Sequence, residues 1–364
     1  MVKPSLIHVV SSARRRGAEV YAVALAKELE RYGGAQQFVV LQDGIREIAF
    51  PAGCDVIYAR RAALPALSGL RELRSAVKEM VRPGFVVGHG FVATRLAVAA
   101  AAGLKNAPPI IHQKIGFTKD WLGVGWRRQL KLAVARSVVA RTAASIAIGA
   151  GQARELVELL KADPDRIYYL PNGRKLPVFD KSIDRHDDLL IVVGALSVEK
   201  RPEVALRAVK MLHAKGVKAR LRFVGEGPLL PNVRRQAERS DIGAYVETIG
   251  NVDDVWPHYR EATALLVCSS TEGTPGVAIE AAIAGLPVVC WDVGDISSVV
   301  VDGETGFIVP FADEKALLLA VERMLGDKRL RVEMGIAAAQ RGQAYDLGKV
   351  ADDFLQVLVE LQRA

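Results

Sequence analysis

The sequence has little of what disulfide-stapled, membrane-spanning or cysteine-metal proteins need. Its 364 residues include three cysteines, an odd number without metal-ligand spacing, and this predicts reduced core residues. No stretch of 18 uncharged apolar residues occurs, and the first apolar stretch, residues 6–10, is too short for the core of a signal peptide. We therefore expect a cytoplasmic protein, and the length favours about two domains.

Negative charge is missing from one part of the chain, since no Asp or Glu occurs between Trp121 and Arg154. Residues 1–180 hold 27 Lys/Arg and 14 Asp/Glu, a net +13, whereas the remainder holds 22 and 27, a net −5. Such asymmetry suggests that the first half faces an anionic partner. The stretch from Trp121 to Arg141 combines helical spacing, tryptophans and cations. It indicates either a helix on the anionic inner face of a membrane or a solvated basic helix packed on its own domain. Nucleic acid is not expected as a partner, because no binding motif accompanies the charge.

Short apolar strands alternate with amphipathic helical stretches twice along the chain. This predicts an α/β protein with two Rossmann-like, doubly wound parallel-sheet domains and a ligand cleft between them. We place the domains at residues 1–175 and 189–345, with a linker at 176–188, and expect a C-terminal helix, 346–364, to pack back on the first domain. The predicted strands are 6–10, 38–41, 56–58, 85–88, 110–112, 145–148 and 167–170, then 189–193, 220–224, 246–249, 264–268, 287–291 and 306–309.

A strand, a loop with Glu272 and a short helix with Glu280 form the most informative stretch of the sequence. The amides of Gly276, Val277 and Ala278 are expected to lack helical partners and to face outward with the positive end of the helix dipole. The pattern predicts an anion site flanked by two carboxylates that bind hydroxyl groups, as a nucleotide sugar requires. The alternative is an ordinary strand–loop–helix unit with two surface glutamates.

Six further short motifs lie along the chain on both sides of these two glutamates. They are Arg16-Gly17-Ala18-Glu19, Pro171-Asn172-Gly173, Val193-Gly194 with Glu199-Lys200, Phe223-Val224-Gly225-Glu226-Gly227-Pro228, Ile249-Gly250-Asn251-Val252 and Asp302-Gly303-Glu304-Thr305-Gly306. Together they resemble the retaining glycosyltransferases of the GT-B fold, specifically family 4 of the carbohydrate-active enzyme classification (glycosyl transferases group 1). The resemblance covers nearly the whole chain and is strongest from residue 189 to residue 327.

The resemblance implies a role for each matching residue. Glu280 would hold the ribose hydroxyls, Glu272 would orient the transferred sugar, and Lys200 would neutralise the diphosphate leaving group. Gly17 would let backbone approach the diphosphate, and His112, at the end of its predicted strand, would lie near the sugar and the acceptor. The implied donor-binding residues are Gly17, Gly194, Lys200, Arg201, Gly225, Gly250, Asn251, Val252, Glu272, Gly276, Val277, Ala278 and Glu280.

Two segments depart from the family pattern. Ala195 stands where the family usually has a phosphate-binding arginine, so Arg201 either substitutes for it or is simply exposed. Asp295 and Ser298 replace a glycine and a glutamate. These departures keep open a non-catalytic protein of the same fold that binds sugar nucleotides.

No metal or other cofactor is expected. Asp163 and Asp165 resemble the Asp-x-Asp pair of metal-dependent glycosyltransferases, but the proline between them favours a turn before a strand.

The sequence thus predicts a metal-independent, retaining hexosyltransferase. Its donor would be a UDP- or GDP-linked sugar, and its acceptor a lipid-linked glycan or a cell-envelope polysaccharide precursor at the inner membrane surface. A soluble sugar-phosphate or polyol acceptor is the alternative within the same enzyme class. A sugar-nucleotide epimerase of similar shape is disfavoured, because the paired glutamates fit the transferases better.

Overall fold

A computed structural model describes residues 5–14, 17–42, 44, 46–59, 69–178 and 185–363. The chain divides into two compact units: a first unit, Met1–Gly173 with Leu347–Ala364, and a second unit, Arg174–Asp346. Residues 179–184 of the predicted linker lie outside the described residues. Among the described residues, no helix is long and apolar enough to cross a membrane.

In the described part of the first unit, seven parallel strands form one sheet. They are β1 Ser5–Val10, β2 Gln36–Val40, β3 Cys54–Tyr58, β4 Gly84–His89, β5 Ile110–Lys114, β6 Ala144–Ala147 and β7 Ile167–Tyr169. Their spatial order is β3-β2-β1-β4-β5-β6-β7. All seven predicted strands are confirmed, each boundary within two residues of its predicted position.

Helices cover both faces of this sheet, and its central strands β1, β4, β5 and β6 are therefore buried at every position. Alternate residues of β1 show the arrangement, since Leu6 packs with α1 and the C-terminal helix α13, whereas Ile7 packs with α2 and α3. The helices of this unit are α1 Gly17–Leu29, α2 Leu70–Glu79, α3 Phe91–Ala101, α4 Lys119–Leu122, α5 Trp126–Val139, α6 Ala150–Glu158 and α13 Leu347–Arg363.

Where it is described, the second unit repeats this plan with six parallel strands, and the sequence predicted each of them to within one residue. They are β8 Leu189–Val193, β9 Arg220–Val224, β10 Val246–Gly250, β11 Ala264–Val267, β12 Val288–Trp291 and β13 Gly306–Val309. Their order is β10-β9-β8-β11-β12-β13. The helices are α7 Pro202–Ala214, α8 Leu230–Arg239, α9 Trp256–Glu261, α10 Gly276–Ile283, α11 Glu314–Gly326 and α12 Lys328–Gly342.

The three cysteines are free, but only two of them belong to the core. Cys268 and Cys290 are buried as predicted, and burial raises the pKa of the Cys268 thiol to about 12. The prediction was wrong for Cys54, which is only half-buried because it begins the edge strand β3.

Candidate functional site

Both sheets have a position where the chain order reverses, and in doubly wound folds ligands bind off the carboxyl ends of the strands there. In the second unit this position lies between β8 and β11, which pair directly. Gly194 follows β8, and the loop that carries Glu272 follows β11. The topology therefore brings two of the predicted donor-binding segments to the same edge of the sheet.

Lys200 and Glu272 form an ion pair at this edge. Lys200 Nζ lies 2.6 Å from Glu272 Oε1, and the same oxygen accepts a hydrogen bond from Ser269 Oγ at 2.6 Å. The Glu272 side chain is only 10% exposed, whereas that of Lys200 is 27% exposed. A backbone hydrogen bond holds the two segments together, because Ser270 N donates to the carbonyl oxygen of Glu199 at 2.7 Å. A cation and a carboxylate that the sequence separates by 72 positions are thus side by side.

Two glycines, Gly225 and Gly227, pack against the backbone of the segment that leads to Lys200. Gly225 has φ +132°, and a Cβ at this position would collide with the carbonyl oxygen of Gly194, so only glycine fits. A Cβ on Gly227 would meet the backbone of Leu196 in the same way. A Cβ on Gly194 itself would meet nothing within 4 Å, so open space lies beside the backbone just after β8.

The predicted nucleobase-binding turn is anchored to Gly225 and its neighbour Glu226. The carbonyl oxygen of Gly250 accepts a hydrogen bond from Gly225 N at 2.8 Å, and Asn251 Nδ2 donates to Glu226 Oε2 at 3.2 Å. Asn251 is exposed and Val252 is half-buried. The fold therefore places this turn beside β9, with polar and apolar groups accessible to a ligand.

The start of α10 differs in one respect from the prediction. The Ala278 amide is not free, because it donates to the carbonyl oxygen of Pro275 at 3.1 Å in a tight first turn. The anion site proposed here is therefore limited to the amides of Gly276 and Val277. A Cβ on Gly276 would meet Nη2 of Arg174, so a side chain at this position would displace the guanidinium. A guanidinium thus lies against the amino end of the helix.

Glu280 has protein partners on both carboxylate oxygens. Arg174 Nε donates to Oε1 at 3.0 Å, and the hydroxyl of the fully buried Tyr259 donates to Oε2 at 2.9 Å. Burial, and then the Glu280 carboxylate, raise the pKa of Tyr259 well above its usual value, so its hydroxyl stays a donor. A carboxylate accepts about four hydrogen bonds, which leaves capacity for ribose hydroxyls.

Three of the side chains that contact the glutamates, namely Arg174, Tyr259 and Ser269, were not predicted. Arg174 directly follows the Pro171-Asn172-Gly173 motif, and a cation at that position was the one available signal. Tyr259 carries no sequence signal at all, because it is one aromatic residue of a short helix.

Arg201, for which substitution for the arginine missing at Ala195 and simple exposure were both left open, contacts residues of its own unit. It adopts a left-handed backbone with φ +49° before Pro202, its guanidinium lies 4.8 Å from the centre of the Trp291 ring, and Nε lies 3.5 Å from Glu203. Ala195 is exposed. Lys200 is therefore the cation of this segment that directly contacts the Glu272 loop.

The other departure from the family pattern is accommodated by the backbone. Gly294, which is kept, has φ +60°, and a Cβ there would collide with the carbonyl oxygen of Glu272. Asp295, which replaces a glycine, has φ −117°, a value that any residue adopts. Its amide donates to the carbonyl oxygen of Gly273 at 3.0 Å, so this turn still supports the Glu272 loop.

In the first unit, the strand order reverses between β1 and β4. Gly17, in the loop that follows β1, is exposed at the start of α1, and a Cβ on it would meet nothing within 4 Å. Neither strain nor packing explains a glycine there, which fits the predicted close approach of a ligand. Its motif neighbour Arg16 lies outside the described residues.

The predicted position of His112 was wrong. It is the third of the five residues of β5 rather than the end of the strand, and it is only 1% exposed. Its Nδ1 hydrogen-bonds with Thr94 Oγ1 at 2.8 Å. Burial, and then the charge of Lys114, lower the pKa of His112 to about 3, so the ring is neutral. The strand continues because Gln113 and Lys114 find buried partners, a signal that the alternating pattern of the sequence does not carry.

His89 does end β4, and it belongs to a buried network. Its Nε2 hydrogen-bonds with Nδ1 of His8 at 3.1 Å, and its Nδ1 hydrogen-bonds with Gln113. His8 in turn hydrogen-bonds with Gln36 at 3.1 Å. Burial lowers the pKa of His89 to about 3 and that of His8 to about 4.

A second unpredicted ion pair lies at the carboxyl end of β5. Lys114 Nζ is 2.5 Å from Glu155 Oε2, and both side chains are buried. Glu155 also accepts hydrogen bonds from the amides of Thr118 and Lys119. Burial alone would raise the pKa of Glu155, but these donors outweigh it and lower the pKa. The pair fixes the loop that leads from β5 to α4.

Asp163 and Asp165 lie in a turn, as the proline between them predicted. Asp163 caps a short 3-10 helix by accepting from Asp165 N at 3.1 Å, and it also pairs with Arg166 at 3.5 Å. In the described ranges, no group of three His, Cys, Asp or Glu side chains converges in a way that could hold a metal ion.

Family models match both halves of the chain. The model of the glycosyl transferases group 1 matches residues 177–341, and that of the glycosyl transferase 4-like domain matches residues 8–173. A crystal structure of Anabaena HepE in complex with UDP superposes with a TM-score of 0.81 at 15% identity, covering 98% of this chain and 100% of that one. At this identity the likeness shows the fold, which is the expected GT-B fold.

Among curated proteins, two relatives differ in their acceptors. One is a Campylobacter jejuni α-1,4-N-acetyl-D-galactosaminyltransferase named for a GalNAc-GalNAc-diNAcBac-PP-undecaprenol acceptor, 28% identical over 51% of this chain and 52% of that protein. Another is the D-inositol 3-phosphate glycosyltransferase of Nocardia farcinica, 29% identical over 61% of this chain and 53% of that protein. The chain thus spans about half the length of these relatives.

Proposed function

The chain belongs to the glycosyl transferases group 1 and has the GT-B fold, and from this we propose that it transfers a hexose from a nucleotide-diphosphate sugar to an acceptor hydroxyl. The proposed donor is UDP- or GDP-linked, and the proposed acceptor is a lipid-linked glycan or a cell-envelope polysaccharide precursor. The HepE complex with UDP supports a uridine nucleotide as the first donor to test.

The observation that carries the proposal is the Lys200–Glu272 pair, whose atoms lie 2.6 Å apart. The carboxylate of Glu272 compensates the charge of Lys200. A bound sugar nucleotide would separate these roles: its diphosphate would attract Lys200, and its sugar hydroxyls would donate to Glu272. The ion pair thus places the proposed diphosphate-binding cation directly beside the proposed sugar-binding carboxylate.

We assign catalysis mainly to stabilisation of the leaving group. Negative charge develops on the departing diphosphate, and preorganised donors at that point supply the largest rate effects. The proposed hydrogen-bond donors are Lys200 and the amides of Gly276 and Val277. They would stabilise the negative charge of the leaving diphosphate without a metal. Because the described residues of the second unit offer no evident side-chain nucleophile, we propose front-face transfer with retention. In this mechanism the leaving phosphate helps to take the acceptor proton.

His112 enters this proposal with a changed role. Since its ring is neutral and buried against Thr94, it would position the carboxyl end of β5 unless substrate binding opens that strand end. Gly17 remains the proposed point where the backbone of the first unit meets the ligand.

A soluble acceptor is the second candidate, and the relative that acts on D-inositol 3-phosphate favours it. Lipid-linked and sugar-phosphate acceptors both carry phosphate. The net charge of +13 on residues 1–180 suits either of them.

Two measurements test the function. The first screens UDP- and GDP-linked hexoses by thermal shift, where a ligand at about 100 times its Kd adds about 2.7 kcal/mol of stability. The second offers the best donor together with lipid-linked glycans or sugar phosphates and reads the anomeric configuration of the product by NMR. Glu272→Gln is the matched inactive variant, and we expect EDTA to leave the rate unchanged.

The outcomes separate the alternatives. A product with inverted configuration would contradict the retaining mechanism. A rate abolished by EDTA would contradict metal independence. Donor binding without hydrolysis or transfer to any acceptor would favour the non-catalytic alternative. Failure of every nucleotide sugar to bind would contradict the proposed donor site.

A further inference from the structure

Helix α5 has two apolar faces, and only one of them packs against the protein. Leu132, Ala135, Val138 and Val139 are buried and form its inner face. On the other side, Trp126 is 72% exposed, Leu130 is 58% exposed and Val134 is 41% exposed. These three residues follow each other at four-residue spacing and therefore share one face of the helix.

Neighbouring residues extend this apolar surface beyond the helix. Val124, in the turn that precedes α5, is 90% exposed, and Trp121 is 37% exposed with its ring stacked on Phe91 at 4.8 Å. We call Trp121, Val124, Trp126, Leu130 and Val134 the α5 ridge. A single exposed apolar residue needs no explanation, but a contiguous patch of large ones marks an interaction surface.

Cations accompany the α5 ridge along its length. Arg127 and Lys131 are exposed and lie one position after Trp126 and Leu130, so they follow one side of the ridge. Lys131 Nζ also donates to the carbonyl oxygen of Trp121 at 2.9 Å, which ties this cation to the ridge. Because residues 121–154 contain no Asp or Glu, no acidic side chain of this segment offsets these charges.

We propose that the α5 ridge docks on an anionic lipid bilayer. The helix would lie in the plane of the surface, with Trp126, Leu130 and Val134 at the boundary between headgroups and acyl chains and with Arg127 and Lys131 at lipid phosphates. A basic helix with an exposed tryptophan and aliphatic side chains has the composition that this interface favours. A protein partner would need an acidic, apolar groove of matching length, whereas an anionic bilayer supplies both features everywhere along its surface. The inference concerns the first unit alone and does not depend on the identity of donor or acceptor.

Flotation with vesicles tests the electrostatic part. Wild-type protein should float with phosphatidylcholine vesicles that contain phosphatidylglycerol and remain unbound with phosphatidylcholine alone. Each cation near such a surface contributes about fivefold to partitioning, so Arg127→Gln/Lys131→Gln should reduce binding about thirtyfold. The matched control, Lys210→Gln/Arg235→Gln, removes two exposed cations from the second unit and should bind like the wild type.

A second pair of variants tests insertion of the apolar side chains. Trp126→Ser/Leu130→Ser should lose binding at moderate salt, where screening has weakened the charge attraction. Its control, Val332→Ser/Ile336→Ser, removes an exposed apolar pair at the same spacing on α12. Vesicles with brominated acyl chains should quench the fluorescence of the wild-type protein, and Trp126→Phe should lose most of that quenching.

Three results would overturn the proposal. Wild-type protein that stays in solution with anionic vesicles removes it directly, and equal losses in the ridge variants and their controls attribute binding to net charge alone. A dimer in sedimentation that Trp126→Ser/Leu130→Ser converts to a monomer, with vesicle binding unchanged, would assign the ridge to a second copy of the chain. None of these results depends on transferase activity, so they test membrane docking independently of the proposed function.

Discussion

Arg174 Nε lies 3.0 Å from Glu280 Oε1, and the same guanidinium occupies the space into which a side chain on Gly276 would project. One cation therefore contacts the carboxylate proposed for ribose and adjoins the helix end proposed for phosphate. Tyr259 completes the arrangement by donating to the other carboxylate oxygen. We infer that Arg174 positions Glu280 and adds positive charge on the phosphate side, where the family arginine is missing at Ala195.

Arg174→Met should weaken nucleotide binding by more than tenfold, because a charged hydrogen bond typically contributes about 1.5–3 kcal/mol. Arg174→Lys should recover only part of the affinity, since an ammonium cannot present the planar guanidinium fork. Titration calorimetry with UDP and GDP measures both variants. Lys175→Met, which removes the exposed neighbouring cation, serves as control. Equal effects at positions 174 and 175 would show that only net charge matters.

Glu280→Gln should abolish most nucleotide binding while the fold remains. The amide keeps the shape of the side chain but loses the charge that Arg174 compensates and half of its acceptor capacity. Calorimetry gives the affinity, and circular dichroism gives the fold. Tyr259→Phe should instead lower stability by about 1 kcal/mol with a smaller effect on affinity, because it removes one supporting hydrogen bond. If Glu280→Gln binds nucleotide like the wild type, the ribose site lies elsewhere.

The sequence predicts strands and turns well and long-range partners poorly, and Glu280 shows why. Its helix could be predicted from local signals, namely the Pro275-Gly276 start and the end at Gly285. Its contacts with Arg174 and Tyr259 span 106 and 21 positions and depend on how the elements pack. The same limit explains the buried Lys114–Glu155 pair and the place of His112 inside β5, since nothing local distinguishes a polar residue at the end of a strand from one that finds a buried partner.

Lys200→Met should lower kcat by roughly a hundredfold with little change in the KM for the acceptor, the scale expected when one charge-stabilising donor is lost. Steady-state kinetics with the best donor measures it. Because Lys200 and Glu272 contact each other at 2.6 Å, the double variant with Glu272→Gln should be far from additive. Arg201→Met is the comparison, and its stacking on Trp291 predicts a smaller catalytic loss. The reverse order of effects would make Arg201 the phosphate cation.

The first unit should lose stability as the pH falls from 6.5 to 4.5, a window in which most carboxylates stay ionised. Burial lowers the pKa of His8 to about 4 and those of His89 and His112 to about 3, from 6.5 in the unfolded chain. Below pH 6.5 the unfolded state therefore binds protons that the folded state refuses, and the free energy of unfolding decreases. Well above pH 6.5, where neither state binds these protons, the three histidines add no pH dependence.

With three such histidines, unfolding near pH 5 takes up about three protons, a slope of about 4 kcal/mol per pH unit. Hydrogen exchange, corrected for its intrinsic pH dependence, should show protection falling in β1, β4 and β5 before it falls in β8 and β11. His112→Gln should reduce the slope by one third, because its ring hydrogen-bonds with Thr94 and lies outside the His8–His89 network. A slope that is unchanged in this variant, or equal acid sensitivity in both sheets, would contradict the assignment of the acid response to these three rings.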